Sequence, residues 1–215
     1  MIDARMFTVG PVQENCFIVR TAGSDRAVIV DPGDESERLV EALGTFGITS
    51  VEAILLTHTH FDHVGAVAPV ALATGAPVYC PELEVQVLAN INDYVRWPGF
   101  GPFESYEADH TVKGGETLEL AGIKFDVIFT PGHSPGHVTY AARDEGALFS
   151  GDVLFQGSVG RVDLPGGDWP TLLASIESLM DTYPDETVVH PGHMGLTTLG
   201  QERATNPFLR ELAQR

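Results

Sequence analysis

Thr57-His58-Thr59-His60-Phe61-Asp62-His63 places three imidazoles and one carboxylate within six residues. The chain has 215 residues and only 8 histidines, so donor nitrogen is concentrated here. Neutral imidazole and carboxylate suit zinc and related divalent metals. The preceding run, residues 51–56, is mostly apolar and reads as a buried strand. Residues two apart in an extended segment face the same way, so His58 and His60 can grip one ion from the strand's C-terminal end. Asp62 and His63 follow after the chain turns and point elsewhere. One short segment can therefore serve two adjacent metals. The competing use is a polar strand-to-helix turn whose histidines only cap and solvate.

Three further segments have the same form, a short apolar run that stops at Gly or Pro and then presents His or Asp. Residues 123–129 lead to His133, residues 147–149 to Asp152, and residues 188–189 to His193. Donors at strand ends, on loops held by a rigid sheet, are the usual way an α/β protein builds a site. Taken singly, each of these is a turn more often than a metal ligand. Beside the first cluster they read as its complement.

With these residues in place, the sequence resembles the metallo-β-lactamase-fold superfamily of metal-dependent hydrolases. Residues 58–63 fit its His-x-His-x-Asp-His signature in full, and the later His, Asp and His follow in the expected order. The resemblance implies a four-layer αββα sandwich, an α/β fold of two mixed sheets flanked by helices. It also implies two metal sites, one from His58, His60 and His133, the other from Asp62, His63 and His193, with Asp152 bridging both. Two divalent ions, zinc or else iron or manganese, are the implied cofactors. Within the superfamily, three stretches look like short, single-domain glyoxalase II-like thioester hydrolases: residues 130–137 (TPGHSPGH), residues 150–168 (SGDVLFQGSVGRVDLPGGD) and residues 200–209. Glyoxalase II itself adds a helical C-terminal domain that helps bind glutathione, which a chain of this length is not expected to carry. A base and a tyrosine of that enzyme touch the thiol carrier, and Arg161 and Asp163 stand in those places here.

The implied reaction is hydrolysis of a small-molecule thioester. Two divalent ions, two ligand carboxylates and a bridging hydroxide leave a net charge of about +1, and a single zinc already lowers the pKa of bound water to roughly 7. Asp62 is the candidate catalytic residue, orienting that hydroxide. No Gly-x-Ser-x-Gly elbow competes as a nucleophile. Thiolate is a good leaving group, so no dedicated general acid is demanded. The alternative is a mononuclear iron persulfide dioxygenase, which uses similar loops. A lactonase would place a tyrosine near Phe155, a β-lactamase would need a cation such as Arg161, and a non-enzymatic binding protein would have lost ligands.

Supporting residues are also candidates. Asp31, at the end of an apolar run, either orients a ligand histidine through its far nitrogen or is a turn carboxylate before Pro32. Ser134 and His137 flank His133 and are expected to support it. His190 reads as a strand-end residue and His110 as solvated.

These residues need a scaffold that alternates. Early strands are expected at residues 6–9, 16–21 and 27–30, then a helix at 36–46 with Ser36 as N-cap. A buried helix at 64–74 closes at Gly75, a strand follows at 77–79 and a helix at 82–90. Residues 117–120 and 123–129 form a hairpin around Ala121-Gly122. Strands at 138–142, 147–149 and 187–189 follow, with helices at 170–180 and 201–213. Residues 92–110 carry Tyr94, Trp97, Phe100, Phe103 and Tyr106 on a Pro- and Gly-punctuated stretch. They suit an aromatic lid, a packed loop or a dimer contact.

Composition fits one enzyme domain over residues 1–215, with 43% apolar residues. The net charge is −18 with only two lysines, a surface that repels a phosphate backbone, so no nucleic-acid partner is expected. No basic lead into a long apolar stretch marks a signal peptide, and no run suits a membrane span. Cys16 and Cys80 read as buried free thiols, which points to a reducing, cytoplasmic location. Oligomeric state is open.

Overall fold

A computed structural model describes residues 1–95 and 97–209. Strands β1 (Ile2–Val9), β2 (Glu14–Thr21) and β3 (Arg26–Val30) form an antiparallel meander. Helix α1 (Ser36–Thr45) then crosses over to β4 (Ser50–Leu55), which pairs parallel with β3. Two short helices follow, α2 (Phe61–Val64) and α3 (Val67–Thr74), and lead to β5 (Val78–Pro81). Helices α4 (Val85–Ala89) and α5 (Ile91–Tyr94) precede β6 (His110–Val112), which closes a six-stranded mixed sheet in sequence order.

The second sheet begins with the hairpin β7 (Thr117–Leu120) and β8 (Ile123–Phe129), followed by β9 (Val138–Ala142) and β10 (Ala147–Gly151). A small ribbon of β11 (Leu154–Phe155) and β12 (Ser158–Val159) stands apart. Helix α6 (Trp169–Thr182) crosses to β13 (Val188–Pro191), parallel to β10, and β14 (Thr197–Thr198) ends the sheet before α7 (Leu199–Thr205). Its order is β14-β13-β10-β9-β8-β7.

Alternation along the strands builds the four layers. On β2, Cys16 and Ile18 face α1 and α3, while Phe17 and Val19 face the second sheet. On β10, Phe149 faces the first sheet and Leu148 faces Leu172 and Ile176 of α6. Phe17, Leu55, Phe125, Tyr140 and Phe149 fill the space between the sheets. Tyr140 is fully buried there, and its hydroxyl donates to the Leu56 carbonyl at 3.0 Å, so no polar atom is orphaned by its burial. This is the expected αββα arrangement of two mixed sheets. Cys16 and Cys80 are buried free thiols, and no helix among the described residues is long and apolar enough to cross a membrane.

Local corrections have local causes. Ser36 does not cap α1: the cap is Glu35, at φ 54°, with no side-chain hydrogen bond. The helix expected over residues 64–74 is split, because the Ala66 amide donates to the Pro32 carbonyl and Gly65 lies against the Gly33 carbonyl. Gly75 does end it, at φ 68°. The last helix stops at Thr205, since Pro207 forces Asn206 out of helical geometry (ψ 120°). A 3₁₀ turn covers Pro207–Leu209, and residues 210–213 of the expected helix lie outside the described residues. The α6 start is better capped than expected: Asp168 accepts from the Thr171 amide at 3.0 Å, with Pro170 in the first turn.

Candidate metal centre

Strands β4, β8, β10 and β13 all deliver their C-terminal ends to one edge of the sandwich. The turns that follow carry His58, His60, Asp62 and His63, then His133, then Asp152, then His193. All seven come together, in two groups. In the first, His58 Nε2 lies 3.1 Å from His60 Nδ1, which lies 2.8 Å from His133 Nε2. Three nitrogens on a tetrahedral ion with 2.0–2.1 Å bonds stand about 3.3 Å apart. In the second, His193 Nε2 is 3.3 Å from Asp62 Oδ2, and His63 Nε2 is 3.9 Å from the same oxygen. Asp152 reaches both groups: Oδ1 is 3.3 Å from His63 Nε2, and Oδ2 is 3.4 Å from His133 Nε2 and 3.6 Å from His193 Nε2.

The far nitrogens are held. His133 Nδ1 donates to the Arg161 carbonyl at 2.7 Å, and His193 Nδ1 to the Gln13 carbonyl at 3.2 Å. His63 Nδ1 donates to Asp31 Oδ2 at 3.0 Å. Asp31 also accepts from the Thr57 amide (2.8 Å) and hydroxyl (2.6 Å), and that hydroxyl lies 3.1 Å from His58 Nδ1. Fixing one ring nitrogen in this way leaves the other bare and aimed inward. Of the two readings of Asp31, orienting a histidine is the one its contacts match. His137 sits behind the cluster: its Nδ1 meets the Thr130 hydroxyl at 3.1 Å, and its Nε2 accepts from the Asp152 amide at 3.1 Å. His190 lies within β13, its ring stacked on Phe149, and His110 is exposed on β6.

Two buried atoms in the cluster, His63 Nε2 and Asp152 Oδ1, have no hydrogen-bond partner. Orphaned buried polar atoms are costly, and two facing each other across a gap fit a shared cation. The protonation states of His58, His60 and the two carboxylates fit as well. Burial, then the neighbouring histidines, drives His58 well down and His60 to about 4, which leaves neutral imidazoles. Burial works to raise the Asp152 carboxyl, but His63 and His133 outweigh it and hold Asp152 well below the ordinary carboxylate range. Asp62 is lowered too, His63 and His193 prevailing over burial. Neutral imidazoles with ionised carboxylates are the donor forms a divalent metal requires. His63 and His193 differ: burial works to lower them, but Asp152 and Asp62 outweigh it and hold both imidazoles above their ordinary range, so a metal taking their Nε2 atoms would release those protons.

Three supporting residues lay outside the sequence reading. Glu84 is buried and accepts four hydrogen bonds, from the Thr59 amide and hydroxyl, the Ser134 hydroxyl and the Gly136 amide. It ties the His58–His60 turn to the His133 turn, and it is what Ser134 serves. Glu14 is fully buried, 3.7 Å from His63 Nδ1, with neither oxygen hydrogen-bonded, and burial pushes its carboxyl well up. Gly192 is the third: a Cβ there would press on Asp152 Oδ1 and come within 2.6 Å of the His63 ring. An isolated Glu in a polar stretch carries no sign of burial. The Gly before His193 was readable as a turn, though not as a close contact.

A cavity of about 500 Å³ opens over the cluster. Phe61, Trp97 and Phe100 form one wall, and Phe155, Val159 and Met194 line it further round. Phe61 packs on Trp97, Phe100 and Phe103 at ring-centre distances of 5.7, 4.8 and 5.8 Å. The stretch at residues 92–110 therefore does two things: Trp97 and Phe100 wall the cavity, while Phe103 and Tyr106 pack against the core. Arg161 lines the cavity and Asp163 does not. Asp163 instead meets the Arg161 guanidinium in a two-pronged pair, Nε–Oδ1 and Nη2–Oδ2 both 2.7 Å.

Comparison with known proteins agrees with this geometry. A model of the metallo-beta-lactamase superfamily matches residues 9–193. Hydroxyacylglutathione hydrolase GloC of Haemophilus influenzae is 33% identical over 97% of this chain and 98% of its own. Among solved structures, BLEG-1, a B3 metallo-beta-lactamase, is 43% identical with a TM-score of 0.89 over 97% of this chain and 99% of its own. TTHA1623, solved in a di-iron-bound form, is 45% identical with a TM-score of 0.84 over 95% of this chain and 100% of its own. A donor cluster of this kind at the open edge of an αββα sandwich, together with these similarities, leads to one statement: the chain belongs to the metallo-β-lactamase superfamily of metallo-hydrolases.

Proposed function

We propose that this chain is a binuclear metal-dependent thioester hydrolase. One metal would take His58, His60 and His133, and the other Asp62, His63 and His193, with Asp152 shared. When bound, two divalent ions would supply an acidified water nucleophile and a Lewis acid for the carbonyl. The chain's own residues do the rest. Asp62, ionised and paired with His193, accepts a hydrogen bond from the attacking water and orients it. The Arg161 carbonyl and Asp31 keep His133 and His63 in the orientation that bares their Nε2 atoms. Phe61, Trp97 and Phe100 shield one side of the reaction from solvent.

One observation carries the choice of thioester. Among the described residues, every titratable side chain lining the cavity other than Arg161 belongs to the donor cluster. Among the described residues no lining group is left over to protonate a leaving atom. An amide leaves as a strongly basic amine and needs that proton, whereas a thiol of pKa about 8.5 leaves readily as thiolate. GloC, named a hydroxyacylglutathione hydrolase, is a relative with the same class of substrate in its name. Zinc is the first choice of metal, and the di-iron form of TTHA1623 makes iron the second.

Two other readings have something in their favour. The similarity to BLEG-1 favours β-lactam hydrolysis. A single-iron persulfide dioxygenase would need only part of this donor set, but the Asp62–His63–His193 group is as complete as the first. The test is one panel on zinc-, iron- and manganese-loaded protein: thioester hydrolysis, β-lactam hydrolysis, and oxygen uptake with a persulfide. Thioester turnover exceeding the other two supports the proposal. Oxygen uptake with one iron per chain, or β-lactam turnover alone, overturns it.

A further inference from the structure

The walls of the cavity bear on which thioester enters. Beyond the donor cluster, Ser158 and Arg161, they are aromatic and aliphatic, and Val12, Trp97 and Met194 are 38, 41 and 53% exposed. Arg161 is the only lysine or arginine among the described lining residues. Its guanidinium already holds the Asp163 carboxylate by two hydrogen bonds of 2.7 Å. A guanidinium has five N–H donors and Asp163 takes the Nε–Nη2 edge, so a carboxylate arriving on a thiol arm would be left only the remaining N–H groups. It would meet a cation whose charge Asp163 already offsets, with that acid still beside it. The chain as a whole carries −18 and repels anions further.

We propose that this site prefers thioesters whose thiol arm is uncharged and largely apolar, and that Asp163 sets the preference by occupying Arg161. This rests on the thioesterase reading above. Asp163 acts as a specificity residue through Arg161, without itself lining the cavity. Its device is repulsive: it offsets the one cation that the described lining residues offer an anionic arm.

The test uses metal-loaded, full-length protein and two esters of one acyl group, S-lactoyl-N-acetylcysteamine (neutral arm) and S-lactoylglutathione (two arm carboxylates). The wild type should show the higher kcat/KM with the neutral ester. Asp163→Asn should raise the glutathione-to-cysteamine ratio of kcat/KM by roughly 1.5- to 5-fold, the scale of one exposed charge contact. In an Arg161→Ala background the same substitution should leave that ratio where it was, because the effect runs through Arg161. A wild-type preference for the glutathione ester overturns the proposal. So does a ratio that Asp163→Asn does not move, or moves equally without Arg161. If neither ester is hydrolysed, the thioesterase reading fails on its own. The dissociation constants of S-methylglutathione and S-methyl-N-acetylcysteamine then decide the inference. Tightening of the glutathione thioether alone by Asp163→Asn supports it, and no change refutes it.

Discussion

Asp31 does more for the centre than any residue that points at it. It adopts φ 48°, an uncommon backbone state for a non-glycine residue, and from there accepts three hydrogen bonds. One holds His63 directly, and another reaches His58 through the Thr57 hydroxyl, so both donor groups depend on one carboxylate. Asp31→Ala should weaken metal binding by roughly 10- to 100-fold, as expected for a lost outer hydrogen-bond partner. Competition with a chelator measures this, and unchanged affinity would remove Asp31 from the role. Asp31 was open to reading because it ends an apolar run before Pro-Gly. Glu84 and Glu14 were not, because only tertiary contacts bury them. His190 gives a separate prediction. Burial lowers its pKa to about 4 from 6.5, so the unfolded chain takes up a proton there that the folded chain refuses. Stability from this group is intact above pH 6.5 and falls as pH drops toward 4, by about 3 kcal/mol in all. His190→Phe should therefore lose less melting temperature than wild type between pH 7 and 4.5. Parallel losses would contradict this.

At the scale of elements, the strands were legible and their junctions less so. Residues 51–56 are mostly apolar and covered on nearly every side, and residues 123–129 alternate buried Ile123, Phe125 and Val127 with more exposed neighbours, so both patterns mark strands in the sequence itself. The helix break at Gly65–Ala66 was hidden, because it is made by a distant strand end, the Pro32 carbonyl. Gly192 shows the same limit. Between β13 and His193 the backbone passes so close to Asp152 that no side chain fits. Gly192→Ala should displace Asp152 and His63, leaving the folded protein with one bound metal in place of two. Elemental analysis checks this, and a full complement would show that the turn can give way. Asp168 anchors α6 beside the His133 turn, its amide donating to the Gly132 carbonyl at 2.8 Å. Asp168→Ala removes the cap at a cost of about 1 kcal/mol, a fall of roughly 2–4 °C in melting temperature by thermal denaturation. No shift would mean the cap contributes nothing.

For the whole molecule, the two sheets act as a frame that brings four strand ends together, and the frame closes without the metals' help between the sheets. Tyr140, Phe125 and Phe149 are buried well inside. The centre is different: His63 Nε2 and Asp152 Oδ1 are buried there without a hydrogen-bond partner, and a cation between them would satisfy both. Metals bound 100-fold above their dissociation constant should stabilise the fold by about 2.7 kcal/mol each, so chelation should lower the melting temperature by several degrees. Reloading should restore it, and an unchanged melting temperature would mean the frame ignores its centre. The strong acidity was legible as a count, and its place beside Arg161 was not, because the Asp163 pairing exists only once the loop has folded. The central claim is that two metals, joined through Asp152, hydrolyse a thioester. Stripped protein titrated with zinc while thioester turnover is followed tests it most directly. Turnover should climb from zero and level off at two equivalents per chain. A plateau at one equivalent, or turnover indifferent to added zinc, would contradict the account.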